Sequence, residues 1–82
     1  MLDEPSFGQW LSRRRKALDL TQVELAQRVP CATITIQKIE ADERRPSKQM
    51  AERLAEHLDI AAEERPAFVS FARTGTRAHE SV

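Results

Sequence analysis

Glycine, cysteine and tyrosine are scarce in this 82-residue sequence, which has two glycines, one cysteine and no tyrosine. A single cysteine, Cys31, forms no internal disulfide, and a reducing cytoplasm is the expected location. With only Gly8 and Gly75 to interrupt them, strong helix formers such as alanine, leucine, glutamate and arginine dominate the chain. The composition therefore predicts an all-α fold.

The sequence also lacks a long apolar run and a net charge. No run approaches the roughly 20 residues of a membrane span, and residues 1–5 have no signal-peptide features. Thirteen basic and thirteen acidic residues cancel, which excludes a basic tail that binds any polyanion. Residues 1–50 nevertheless carry nine Lys/Arg against seven Asp/Glu, with basic clusters at 13–16 and 44–48. Any nucleic-acid partner must meet a local basic surface.

Catalytic and metal-binding patterns are absent. There is no glycine-rich phosphate loop, no Cys/His constellation and no nucleophile beside a base. His57 and His79 lack partners at the spacing of metal ligands. We therefore expect neither an enzyme nor a bound cofactor or metal.

Apolar periodicity and capping residues predict five helices in one compact domain over residues 1–73, followed by a polar tail or linker start at 74–82. The first runs from about Ser6 to Leu18. The second starts at Gln22 behind a Thr21–Glu24 capping box and stops at Pro30. The others span about 33–40, 47–58 and, with Pro66 in its first turn, from Glu63 or Glu64 onward.

Residues 33–40 hold five β-branched residues, so propensity alone favours a strand. A lone short strand has no partner elsewhere in the chain, whereas Ile36 and Ile39 have helical spacing. We predict a helix here. Residues 22–40 then form two short helices joined by a tight turn, the outline of a helix-turn-helix whose second helix enters the major groove of DNA.

The segment 20–29, with its Leu-Thr-Gln-x-x-Leu-Ala pattern, and Thr-Ile-Gln-Lys-Ile-Glu at 35–40 resemble the Xre/Cro-type helix-turn-helix of phage repressors and bacterial regulators. The resemblance covers about residues 7–72. It implies a compact five-helix domain that binds operator DNA sequence-specifically and regulates bacterial transcription. It leaves open whether the domain works as a homodimer or is attached to further domains of a longer chain.

The resemblance also assigns roles to individual residues. Positions that match DNA contacts of the family lie at the start of the second helix, on the recognition helix and in the loop after it: Gln22, Ala32, Thr33, Ile34, Gln37, Lys38, Arg44 and Arg45. Arg15 and Glu40 match an internal ion pair of phage repressors.

Several of these assignments have an alternative explanation. Thr33 fits an ordinary helix start, Ile34 fits a contact with a protein partner, and Lys38 and Arg44 fit solvated charges. The basic cluster at 13–16 fits a solvated helix face. A helix-turn-helix scaffold used as a protein–protein interaction module is therefore the second hypothesis.

The sequence departs from the family pattern at several places. Asp19, Pro30 and Asp42 stand where glycine is usual, Ala32 replaces the usual serine N-cap, and Arg14 occupies an often apolar position. Aspartate tolerates left-handed backbone better than most residues, and we expect the stem of Arg14 to lie along apolar surface. A missing cap costs about 1 kcal/mol.

Overall fold

The computed structural model describes residues 5–75, which contain five α-helices, one 3₁₀ turn and no strand. The elements are α1 (Phe7–Ala17), α2 (Gln22–Arg28), α3 (Thr33–Glu40), α4 (Lys48–His57), the 3₁₀ turn (Ala62–Glu64) and α5 (Arg65–Thr74). The all-α prediction is confirmed, including a helix at 33–40. Most of the predicted tail, residues 76–82, lies outside the described residues.

Side-chain caps fix the starts of α1, α2 and α4. The Ser6 hydroxyl accepts a hydrogen bond from the Gln9 amide, and the Ser47 hydroxyl accepts one from the Met50 amide. At α2, the Glu24 carboxylate accepts from the Thr21 amide at 2.8 Å, and this bond lowers the pKa of Glu24. These bonds satisfy amides that have no partner within a helix.

The helix ends depend on left-handed backbone at three aspartates. Asp19, Asp42 and Asp59 have φ angles of 59°, 61° and 60°. Asp19 and Asp42 adopt the conformation that glycine would supply in the family pattern, and the short polar side chain of aspartate makes this conformation accessible.

The last helix begins later than the sequence predicts. We expected it to start at Glu63 or Glu64, but residues Ala62–Glu64 form a 3₁₀ turn and α5 begins at Arg65. The Glu64 amide donates to the Ala61 carbonyl at 2.8 Å, an i→i+3 bond. Pro66 then lies in the first turn of α5, where its missing amide leaves no hydrogen bond broken.

One apolar core joins all five helices. Phe7 of α1 contacts Phe68 and Phe71 of α5 edge-to-face, with ring centroids 5.6 and 5.2 Å apart. The buried apolar residues are Phe7, Leu11, Leu20, Leu25, Ala26, Val29, Ile36, Ile39, Ala51, Leu54, Ala55, Leu58, Phe68, Phe71 and Ala72. Burial of Ile36 and Ile39 explains why α3 is helical despite its β-branched composition, because tertiary packing outweighs weak local propensity.

Arg14 has a specific role at the end of α4. Its Nε and Nη2 atoms both donate to the Leu58 carbonyl, at 3.0 and 2.9 Å. This guanidinium therefore satisfies a carbonyl at a helix C-terminus, where positive charge is favourable. The sequence anticipated only apolar packing of the Arg14 stem.

The start of α1 packs closely on the end of α3 through Gly8. A β-carbon at Gly8 would lie 2.5 Å from the Glu40 carbonyl oxygen and 2.6 Å from that of Ile39. The Gly8 amide donates to Asp42 Oδ1 at 3.0 Å, and the Ser6 hydroxyl donates to Asp42 Oδ2. Asp42 therefore caps α1 from the loop after α3.

A buried ion pair fixes α3 against α1. Arg15 Nε lies 2.7 Å from Glu40 Oε2, and Arg15 Nη2 lies 3.1 Å from Oε1. The two side chains are 9% and 7% exposed. Arg15 Nη1 also donates to the Leu20 carbonyl at 2.8 Å, and Gln22 Nε2 donates to Glu40 Oε1 at 3.0 Å. These four residues connect α1, α2 and α3.

Removing the negative charge of this pair tests how much the pair contributes to the stability of the fold. We expect Glu40→Gln to lower the free energy of unfolding by about 3 kcal/mol, because it leaves the buried Arg15 guanidinium uncompensated. In a domain of this size, that corresponds to a melting temperature lower by more than roughly 10 °C. Exposed Glu43 provides the control. Equal melting temperatures for Glu40→Gln and Glu43→Gln would contradict this account.

Candidate nucleic-acid interface

Two backbone hydrogen bonds fix the turn that follows α2 and leads into α3. The Val29 amide donates to the Leu25 carbonyl at 3.0 Å, and the Cys31 amide donates to the Ala26 carbonyl at 2.9 Å. Pro30 follows the C-cap residue Val29, where it interrupts no helical bond. The family's glycine is therefore not needed at this position of the turn.

The outer face of α3 is exposed and polar apart from one isoleucine. Ile34, Gln37 and Lys38 are exposed, at spacings of three and four residues that place them on one side of the helix. Thr33 is half-buried in the first turn. Among residues 5–75, no hydrogen bond or ion pair engages the side chains of Gln37 and Lys38. Ile34, Gln37 and Lys38, three of the predicted contact residues, thus lie on one surface. The hydrogen-bond donors of Gln37 and Lys38 on this surface are available to a ligand.

The first turns of α2 and α3 each expose a large apolar side chain. Val23 is 51% exposed and Ile34 is 53% exposed. Ile34 is among the predicted contact residues, whereas Val23 is not. The pattern that could have found it is the capping box itself, because Val23 lies between Thr21 and Glu24, on the outward side of the first turn.

The side chain of Gln22 already makes one hydrogen bond within the protein. Its side-chain amide donates one hydrogen to Glu40, as described above, and the residue is half-buried. The side-chain nitrogen carries a second hydrogen. Gln22 therefore lies at the start of α2, and its hydrogen bond to Glu40 of the buried ion pair fixes the orientation of its side chain.

The two arginines after α3 differ in their surroundings. Arg45 Nη1 lies 3.7 Å from Asp42 Oδ1, and the Arg45 guanidinium covers Gly75, where a β-carbon would collide with it. Arg44 is exposed and makes no hydrogen bond or ion pair within residues 5–75. The Arg45 side chain therefore points toward the end of α5, whereas the guanidinium of Arg44 is available to bind a ligand.

A model of the helix-turn-helix domain family matches residues 6–68, from the N-cap of α1 into α5. The chain belongs to this helix-turn-helix family. No curated protein and no solved structure gives a significant match. The matched residues include the whole α2–turn–α3 unit, and family membership indicates DNA binding in general.

Three observations concern metal binding, thiol reactivity and membrane insertion. Within residues 5–75, no group of three or more His, Cys, Asp or Glu side chains could hold a metal ion; His79 lies outside this range. Burial raises the pKa of the Cys31 thiol, which disfavours the reactive thiolate. No helix in the same range is long and apolar enough to cross a membrane.

The start of α3 lacks a side-chain cap. Ala32 occupies the N-cap position with extended backbone, φ −73° and ψ 145°, and supplies no side-chain acceptor. This backbone is the one in which a serine hydroxyl reaches the amides of the first turn. The Thr35 amide donates to the Ala32 carbonyl at 2.9 Å, and the other amides of the first turn are left to water or to a ligand.

Restoring the cap gives a direct test of this local geometry. We expect Ala32→Ser to stabilise the domain by about 1 kcal/mol in urea unfolding, because the new hydroxyl satisfies an amide of α3. Ala41→Ser places the same substitution at the C-cap of the same helix and serves as the control. A stability change no larger than that of the control would show that the N-terminus of α3 differs from the structure described.

Proposed function

We propose that this helix-turn-helix domain binds double-stranded DNA sequence-specifically and regulates transcription in bacteria. The observation that carries the proposal is the exposed face of α3, where Gln37 and Lys38 have free donors beside Ile34. Residues 33–40 span about 12 Å, which matches the width of the major groove. Bacterial origin, a role in transcription and a cytoplasmic location rest on the resemblance to Xre/Cro-type regulators.

Each side chain on this face suits a particular element of DNA. Gln37 can pair with adenine, and Lys38 with guanine or with a phosphate. Ile34 has no hydrogen-bonding group, so its contact would be with the methyl group of thymine. Thr33, in the first turn, is within the part of a recognition helix that meets base edges or phosphates.

Backbone contacts would come from both sides of α3. Gln22 at the start of α2 offers its second amide hydrogen to one phosphate, and Arg44 in the loop after α3 offers its guanidinium to another. Arg45 faces Asp42 and Gly75, so its side chain would mainly stabilise the conformation of the loop. Ala32 places only backbone near the DNA.

The charge balance indicates how strongly one copy would bind. Thirteen basic and thirteen acidic residues leave no general attraction to DNA, and nonspecific affinity scales with the number of phosphates neutralised. One copy should therefore bind weakly. A homodimer on two half-sites, or attachment to further domains, would supply the remaining affinity.

A protein-interaction module is the second candidate function. The observation that favours it is the pair of exposed apolar side chains, Val23 and Ile34, in the first turns of α2 and α3. Buried aromatic and apolar anchors dominate protein interfaces, whereas DNA interfaces are more polar and more positively charged. Gln37 and Lys38 on the same face of α3 as Ile34 favour DNA.

Substitution of Lys38 separates binding from stability. We expect Lys38→Ala to weaken binding to duplex DNA about tenfold, through loss of a base or phosphate contact, with an unchanged melting temperature because the side chain is exposed. Fluorescence anisotropy at low salt measures the affinity. Lys16→Ala, an exposed lysine on α1, is the control.

Two outcomes would contradict the proposal. Equal affinities for the Lys38 and Lys16 variants would remove α3 from the binding surface. Absence of any DNA binding at low salt, with a folded domain, would favour the protein-interaction module.

Selection from a randomised duplex pool then tests sequence specificity. A sequence-specific reader enriches a motif, and Gln37→Ala should relax the preference at one position of that motif.

A further inference from the structure

A concave pocket lined by three arginines lies beside α3. It has a volume of about 380 Å³ and lies between α3, the loop after it, the start of α4 and the last turn of α5. Among residues 5–75, its lining consists of Thr35, Ile39, Ser47, Met50, Arg44 and Arg73, together with Arg45 and Pro46, and contains no carboxylate. Three arginines thus meet at one pocket.

Two of these arginines have no counter-charge in the part of the chain that the structure describes. Arg45 is occupied by Asp42 and covers Gly75. Arg44 and Arg73 are exposed and take part in no hydrogen bond or ion pair within residues 5–75. Like charges that share a pocket repel one another, and a bound anion would relieve this repulsion. Guanidinium groups bind phosphate oxygens through paired N–H donors.

We propose that Arg44 and Arg73 together hold one phosphate of the DNA backbone in this pocket. The inference rests on the proposed function and deepens it. Thr35 and Ile39 of α3 form part of the pocket lining, so the site borders the proposed recognition helix, and a helix in the major groove has a phosphate backbone on either side of it. The pocket also includes the N-cap Ser47 of α4, an end at which the helix dipole favours an anion.

Arg73 makes α5 part of the DNA-binding surface. It lies outside residues 6–68 that match the helix-turn-helix family and outside the α2–turn–α3 unit. Sequence patterns therefore give no reason to assign it a contact. Only the packing of α5 against α4 and the loop brings Arg73 to the same pocket as Arg44.

The test measures how DNA affinity depends on salt for the Arg73→Ala variant. Because Arg44 still contacts the shared phosphate in this variant, the slope of log affinity against log salt concentration should fall by less than the roughly 0.9 expected for the loss of a whole phosphate contact, whereas removal of both arginines should lower it by about 0.9. Arg53→Ala removes an exposed arginine of α4 that does not line the pocket, and its slope should equal that of the unsubstituted domain. Circular dichroism and melting temperature verify that both variants fold.

A double variant tests whether the two arginines share one phosphate. The affinity loss of Arg44→Ala with Arg73→Ala should be smaller than the sum of the single losses, because removal of either arginine already weakens the same contact. Strictly additive losses would mean two separate phosphates and would overturn the shared site.

The remaining outcomes separate this inference from the proposed function. If the unsubstituted domain binds DNA and Arg73→Ala behaves like Arg53→Ala, the pocket is not a phosphate site and the proposed function stands. If the domain binds no DNA, the proposed function fails. A titration with inorganic phosphate, followed by NMR of the arginine Nε–H groups, would then show whether Arg44 and Arg73 take a free phosphate instead, which would overturn the assignment to DNA.

Discussion

The bidentate bond between Arg15 and Glu40 is the interaction on which the position of α3 depends. Each charge is almost completely buried, which is costly unless every hydrogen-bonding group is satisfied. Arg15 donates to the Leu20 carbonyl as well, and Gln22 donates to Glu40. Because one network connects α1, α2 and α3, the outer face of α3 is presented in a fixed orientation before any ligand binds.

Asp42 extends this network to the ends of the domain. Its left-handed backbone turns the chain after α3, and its carboxylate accepts bonds from Ser6 and Gly8 at the start of α1. Arg45 pairs with Asp42 and covers Gly75, whose carbonyl accepts a bond from the Phe7 amide at 3.0 Å. An aspartate in place of glycine thus gains capping bonds that a glycine would lack.

Local chemistry made most of the helices predictable from the sequence. Ser6, Thr21 and Ser47 cap helices where their position before an apolar pattern indicated, and helix 33–40 followed from the absence of a partner strand. Tertiary contacts decided the rest. The close approach of Gly8 to Ile39 and Glu40, the capping of α4 by Arg14 and the contact of Arg45 with Gly75 join residues 30 to 44 positions apart, which sequence spacing does not encode.

An amide NMR titration with random-sequence duplex DNA at low salt tests whether the exposed face of α3 binds DNA. NMR detects binding at the weak affinities expected of one copy. If this face binds DNA, we expect chemical-shift changes concentrated at Gln22, at residues 32–38 and at Arg44. An unchanged spectrum, or shifts confined to residues 13–16, would contradict this expectation and direct attention to a protein partner.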